Sequence, residues 1–344
     1  MARYEGVFDA LGLRDWCDAN KTEAPMSMAQ LLAQAQGGDA EAEGPLAPFP
    51  SLDVLHEACA RIGQTRDLTA GIESGFLGIR EELKFVLDPI TQPLSWMLEG
   101  ALWLFEAVPW FVMIPILVAL TWFVARSVGV TVFVALSLLV FGLVDHYEVA
   151  MQTLSIIFVC TTISVAIGVP IGIAMSRSRT VQRAILPVLD LLQTLPTFVY
   201  LIPLIFLFSV TESELYGIAI ILYAIVPVIR LTDLGIRLVD PDVIEAADAF
   251  GMSKRQKLWQ VQLPLALPNI MAGVNQTIMM SLAMVVIASL VSAPGLGVLV
   301  LRGIRNLELG VGIVAGIGIV LLAVILDRAS KAALGRVDMT QKGR

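Results

Sequence analysis

Seven apolar runs, at about residues 102–125, 128–144, 149–175, 185–209, 215–230, 269–293 and 309–326, approach the roughly 20 residues a helix needs to cross a bilayer, the second and fifth being short. Inside hydrocarbon every backbone N–H and C=O must be satisfied within the protein, so isolated runs of this kind fold as helices. The chain therefore reads as an all-α integral membrane protein of about seven transmembrane helices. Composition agrees, with 57% hydrophobic and 15% charged residues and a mean hydropathy of +0.79, far from the soluble globular average.

Charge gives the runs a direction. Arg126, then Arg177, Arg179 and Arg183, then the basic residues from Arg230 to Lys257, then those from Arg328 to Arg344 mark cytoplasmic connections. The alternate connections carry Asp145, His146 and Glu148, or Glu212 and Glu214, or the 294–308 segment, where Arg302 and Arg305 weaken the rule. Seven crossings with a cytoplasmic C-terminus, residues 336–344 forming its tail, place the N-terminus outside. Net charge is −7 for the whole chain, but residues 1–100 hold 7 Lys and Arg against 16 Asp and Glu. The acidity thus belongs to an exported tail and does not point to nucleic acid.

That tail has no basic region followed by an apolar core, so no cleavable signal is read in it. Residues 37–50, rich in Gly, Ala, Pro and acid, read as a linker. Phe76, Ile79, Leu83, Val86, Leu87 and Ile90 recur at helical spacing, with charges between them. They predict an amphipathic helix near 72–100, lying on the membrane or packed on the tail, which Pro89 and Pro93 bend or end. Cys17 and Cys59 sit where oxidation can occur; no cysteine framework surrounds them, so unpaired thiols are the preferred reading and a Cys17–Cys59 disulfide the open alternative. At about 100 residues the tail is at most one small domain.

Catalytic chemistry is missing from the sequence. Neither His56 nor His146 has a neighbour at metal-ligand spacing, no hydrolase motif is present, and no Gly is followed by Lys as a phosphate-binding loop requires. The chain is read as having no catalytic residue, metal or cofactor of its own; if ATP drives it, another chain binds the ATP. Ionisable groups, which ion-coupled carriers place inside the bilayer, are sparse. The third, sixth and seventh runs have none and the fifth none before Arg230. Asp190 in the fourth is read as a helix-end carboxylate.

One polar hairpin interrupts the apolar pattern. Over residues 240–264, DPDVIEAADAFGMSKRQKLWQVQLP, Asp240 caps a helix whose first residue is Pro241, and Asp242 and Glu245 favour its N-terminus. Val243, Ala246, Ala247 and Phe250 form a small apolar stripe, and Gly251 ends the helix. Ser253 and Gln256 match a capping box for a second short helix that Pro264 closes. The spacing Glu245-Ala246-Ala247, three residues, Gly251, nine residues, Val261-Gln262-Leu263-Pro264 resembles the EAA loop of ABC importer permeases, departing from it only by Val for Ile. In that family the loop docks on a separate ATP-hydrolysing subunit. The resemblance implies an ATPase-coupling role for Val243, Glu245, Ala246, Ala247, Phe250, Gly251, Leu263 and Pro264.

Residues 189–203 (LDLLQTLPTFVYLIP), 262–288 and 295–303 (GLGVLVLRG) resemble permeases of the glycine betaine/proline betaine, or ProW, type; the likeness covers about 100–330. It implies a type I importer fold in a bacterial inner membrane: a homodimer of permeases, cytoplasmic ABC ATPase subunits and a periplasmic substrate-binding protein, working by alternating access. Domain boundaries follow as an acidic tail over 1–100 and a permease domain over 101–335. Substrates of such importers carry methylated ammonium groups, as in glycine betaine, proline betaine, choline, carnitine or trimethylamine N-oxide, and aromatic faces hold such groups. Phe198, Tyr200 and Tyr223 are candidate faces along a path; Gln193, Thr194, Asn275, Gln276 and Thr277 are candidate partners for a carboxylate or oxide. Pro196 and Pro203, which free backbone groups in mid-span, make 193–203 the candidate lining segment. A permease for amino acids or another small solute is the alternative, and a channel or osmosensor without an ATPase a more distant one. Gly168 with Gly172, and Gly312, Gly316 and Gly318 with Ala315, have the spacing of close helix packing, within one chain or across a dimer.

Overall fold

The computed structural model describes residues 65–337 together with Phe8, residues 10–13, Trp16, Cys17 and Cys59. The linker at 37–50, His56 and residues 338–344 lie outside the described residues. The chain divides into two compact units, Met1–Glu81 and Glu82–Arg344. In the first, Cys17 and Cys59 are joined in a disulfide, which corrects the expectation of free thiols: their Cα atoms stand 4.6 Å apart, within disulfide range, and both side chains are buried. A separation of 42 residues along the chain carries no information about proximity.

All regular structure among the described residues is helical. The elements are α1 Thr65–Ala107, α2 Trp110–Ala125, α3 Val128–Leu143, α4 Tyr147–Arg177, α5 Arg179–Thr194, α6 Leu201–Leu207, α7 Ser213–Arg237, α8 Pro241–Ala249, α9 Lys254–Lys257, α10 Leu263–Ala288, α11 Leu296–Arg305 and α12 Leu309–Val337. Among the described residues, four unbroken helices are long and apolar enough to cross a membrane: Tyr147–Arg177, Ser213–Arg237, Lys254–Val291 and Leu309–Ala333. They carry the expected third, fifth, sixth and seventh spans. The expected first and fourth are interrupted. α1 and α2 meet at 114° around Val108-Pro109, and α5 turns through 109° into residues 197–207 at Leu195-Pro196. A proline removes a backbone donor and forces its predecessor out of the helical region, so both breaks fall where the chain can least continue a helix. α3, the expected second span, is 16 residues long.

Other prolines do not break anything. α1 runs for 43 residues through Pro89 and Pro93, so of the expected bend or end, the helix does not end there. Pro264 does not close a short helix either: α9 passes through a π turn at Leu258–Gln262 directly into α10, forming one helix over Lys254–Val291. The π turn bonds i to i+5, so the wider turn accommodates a residue that has no N–H and would crowd a regular helix.

α7 lies between α4 and α10 and is the most buried of the four long helices. Lipid tails are as apolar as leucine, so what joins these helices is close packing at small residues. A Cβ on Gly168 would stand 2.5 Å from Val228, one on Gly172 2.7 Å from the Ile229 carbonyl oxygen, and one on Gly273 3.1 Å from the Val228 Cα. The α4 pair therefore serves within the chain. Gly303 on α11 abuts Gly312 on α12 and Gly318 faces Phe141, whereas Gly316 faces open space. A second cluster gathers Met113, Ile114, Val134, Leu138, Phe141, Met151, Leu322 and Ile325 from α2, α3, α4 and α12.

Candidate functional site

The polar hairpin emerges from the end of α7. Asp240 accepts a hydrogen bond from the Asp242 amide at 2.9 Å, and Pro241 occupies the first turn of α8. The helix ends in a full Schellman motif: the Gly251 N–H donates to the Asp248 carbonyl at 2.9 Å and the Met252 N–H to the Ala247 carbonyl at 3.1 Å, with Gly251 at φ +74°. Reversal follows at once. The Ser253 hydroxyl accepts from the Gln256 amide, and the Gln256 side chain accepts from the Ser253 amide, completing the capping box. Lys257 pairs with Asp248 across the two arms.

Packing divides the anticipated stripe. Successive residues turn about 100° around a helix, which puts Ala247 and Ile244 on one side and Val243, Ala246 and Phe250 on the next. Ala247 is buried at 5% exposure, and Ile244 packs on a cluster of Ile236, Val239, Leu258, Ala266 and Ile270. Val243, Glu245 and Ala246 are exposed, and Phe250 is 88% exposed. Leu263 is half-buried beside the cluster and Pro264 exposed. Ile244 is the anchor that sequence reading missed. It stands at i−3 from Ala247, a spacing that fits the helix no better than the Val243, Ala246 and Phe250 spacing does.

Beneath the hairpin lies a hollow of about 400 Å³ bordered by Ser176, Arg237, Ile244, Glu245 and Gln262. Arg237 organises its floor, donating from Nε to Asp233 at 2.8 Å and from Nη2 to the Met175 carbonyl at 2.6 Å, while Gln182 donates to the other Asp233 oxygen at 2.8 Å. The ends of α4, α5 and α7 are thereby tied together. Nearby Arg230 pairs with Asp190, so the one carboxylate inside the fourth apolar run is exposed and matched. Arg302, which ran against the charge rule, pairs with Glu308 at 3.1 Å. The Asn306 side chain and Arg302 together hold the Glu308 carboxyl below the usual range.

The candidate path residues do not form one group. Gln193, Thr194, Pro196 and Phe198 are exposed at the break between α5 and α6. Tyr200, just past it, is buried with an unpaired hydroxyl, and Tyr223 is half-buried on α7. On α10, Thr277 is fully buried with an unpaired hydroxyl and Gln276 is exposed. Asn275 is engaged elsewhere, donating to Asp327 at 3.2 Å and accepting from Ser330 on α12.

Residues 164–338 match the family model described as the binding-protein-dependent transport system inner membrane component. Among curated proteins, the chain is 40% identical over 297 residues to the glycine betaine/proline betaine transport system permease protein ProW of Escherichia coli (strain K12), covering 86% of this chain and 81% of that one. It is 41% identical to the glycine betaine transport system permease protein OpuAB of Bacillus subtilis (strain 168), over 71% and 86% of the two chains. To the glycine betaine/carnitine transport permease protein GbuB of Listeria monocytogenes serotype 1/2a (strain 10403S) it is 42% identical, over 71% and 87%. A chain of the inward-facing MetNI methionine ABC transporter superposes with a TM-score of 0.51 at 20% identity, covering 56% of this chain and 95% of that one, a likeness of fold alone. The helical core that presents the hairpin and the relatives that share most of its length place this chain in the family of binding-protein-dependent transport system inner membrane components.

Proposed function

We propose that the chain is the permease subunit of an ATP-driven, binding-protein-dependent importer of glycine betaine-like solutes. The observation that carries the coupling half of this reading is the outward stripe of Val243, Ala246 and Phe250 on a helix capped at both ends and braced from behind by Ile244 and Ala247. A rigid helix with an exposed aromatic anchor is suited to fill a groove on another protein. That protein is a cytoplasmic ABC ATPase, two copies serving a permease homodimer, since no phosphate-binding loop occurs in this sequence. A separate receptor delivers the solute from the side where the tail lies. Closure of the ATPases moves α8, and α8 moves α7, opening the cavity outward; hydrolysis resets it.

The substrate class rests on the relatives, whose names include glycine betaine, proline betaine and carnitine. Along the route, Tyr200 and Tyr223 are the aromatic faces we assign to the methylated ammonium, and the unpaired hydroxyl of Thr277 is a separate polar station for the solute's carboxylate or oxide. The test is uptake of labelled glycine betaine into proteoliposomes holding the permease, its ATPase and its receptor. ATP-dependent uptake competed by proline betaine or carnitine, but not by methionine, is expected. Uptake of an amino acid in preference to betaines overturns the assignment.

A further inference from the structure

We propose that α1 is a releasable latch on the end of α7 remote from the hairpin. Residues 82–107 are rooted at their C-terminal end, where Phe105 packs on the cluster of α2, α3, α4 and α12 and Glu106 accepts a hydrogen bond from Gln152 at 2.9 Å. From that root α1 reaches to the first turns of α7. Lys84 pairs with Glu212 at 3.3 Å. Ser95, Ser213 and Glu99 form one cluster, the two hydroxyls 2.8 Å apart and 2.9 and 3.2 Å from the same Glu99 oxygen, so that their two protons serve two of the three contacts at a time. Leu94 and Leu98 lie over Gly217, where a Cβ would come within 2.6 Å of Leu98.

Two features make this a latch and not a fixed seam. Each hydrogen bond and ion pair in it joins side chains, so it opens without disturbing a backbone hydrogen bond. The joints of α7 to α4 and α10 are of the other kind, with glycines bringing backbone atoms together. Position supplies the second argument. α7 has 25 residues, about 36 Å of helix, with the hairpin at one end and the latch at the other. A tilt of about 10° around the hairpin end carries the far end about 6 Å, twice a hydrogen-bond length, while α1 stays rooted in a different cluster. The latch therefore holds α7 in the resting state and opens when the coupling helix moves it, a role that rests on the importer reading above.

The test uses the full complex in proteoliposomes with Ser95→Cys and Ser213→Cys introduced together. Cys160 is fully buried and Cys17 and Cys59 are paired, so oxidation acts on the new pair. The reduced variant is expected to retain ATP-dependent uptake. Complete oxidation, judged by loss of maleimide labelling, is expected to lower uptake at least about tenfold and reductant to restore it, the parent being unaffected by either. Full uptake with the crosslink complete overturns the latch and leaves the importer reading standing; a parent with no ATP-dependent uptake overturns both. In a second experiment Lys84→Glu is expected to raise ATP hydrolysis without receptor by about threefold, and Glu212→Lys in the same chain to return it. Unchanged hydrolysis in Lys84→Glu counts against the latch in the same way.

Discussion

Gly251 contributes conformation, not room. Its φ is +74°, and open space surrounds the point where a Cβ would stand. A non-glycine residue costs about 1–2 kcal/mol in this region, more when β-branched, while Asn is tolerated. Gly251→Val is expected to abolish uptake and Gly251→Asn to keep most of it, with both inserting in the membrane at parental levels; equal uptake by the two variants would remove the conformational role. The caps of this hairpin were readable because each is a contact within a few residues: Asp240 to Asp242, Ser253 to Gln256, Gly251 to Asp248. Which side of α8 faces inward was not, because Ala246 and Ala247 are the same residue type and only the distant Ile236, Leu258 and Ile270 decide between them.

α7 is the element on which the fold turns, and the glycines of its neighbours set its position. Gly172→Ala puts a methyl against the Ile229 carbonyl and Thr232, with backbone unable to withdraw, whereas Gly316→Ala meets nothing within 4 Å. The first is expected to lower thermal stability in detergent by about 1–3 kcal/mol and the second to leave it unchanged, as a melting curve of each variant would register. Similar melting of the two would mean that the contact seen at Gly172 does not hold α4 to α7. The four unbroken spans were legible from apolar length, a property of each segment alone. The prolines were not. Pro109 and Pro196 end helices, yet Pro89, Pro93 and Pro264 are carried within them, and at Pro264 a π turn makes the difference. Whether neighbours can satisfy the freed backbone groups depends on packing, which a local pattern does not contain.

Assembly sets the remaining questions. The charge pattern and the Cys17–Cys59 disulfide both favour a tail outside the cell and a hairpin within it. In a chain with Cys17 and Cys59 replaced by Ser, an impermeant maleimide is expected to label Glu73→Cys in intact cells and Lys254→Cys only after permeabilisation; the reverse order would invert the proposed transport direction. Membrane class and the caps of the hairpin could be read without coordinates, but the engagement of Asn275 with Asp327 and Ser330 needed the folded chain, since it joins residues more than 50 positions apart. The account as a whole stands on α8 being the grip of a separate ATPase. The decisive measurement is the affinity of that ATPase subunit for the permease in nanodiscs, the parent chain against one carrying Val243→Ala and Phe250→Ala. Both side chains are exposed, so melting should move by no more than about 0.5 kcal/mol while affinity falls at least about 30-fold. Undiminished affinity in a variant that melts like the parent would mean that the ATPase grips the permease somewhere else.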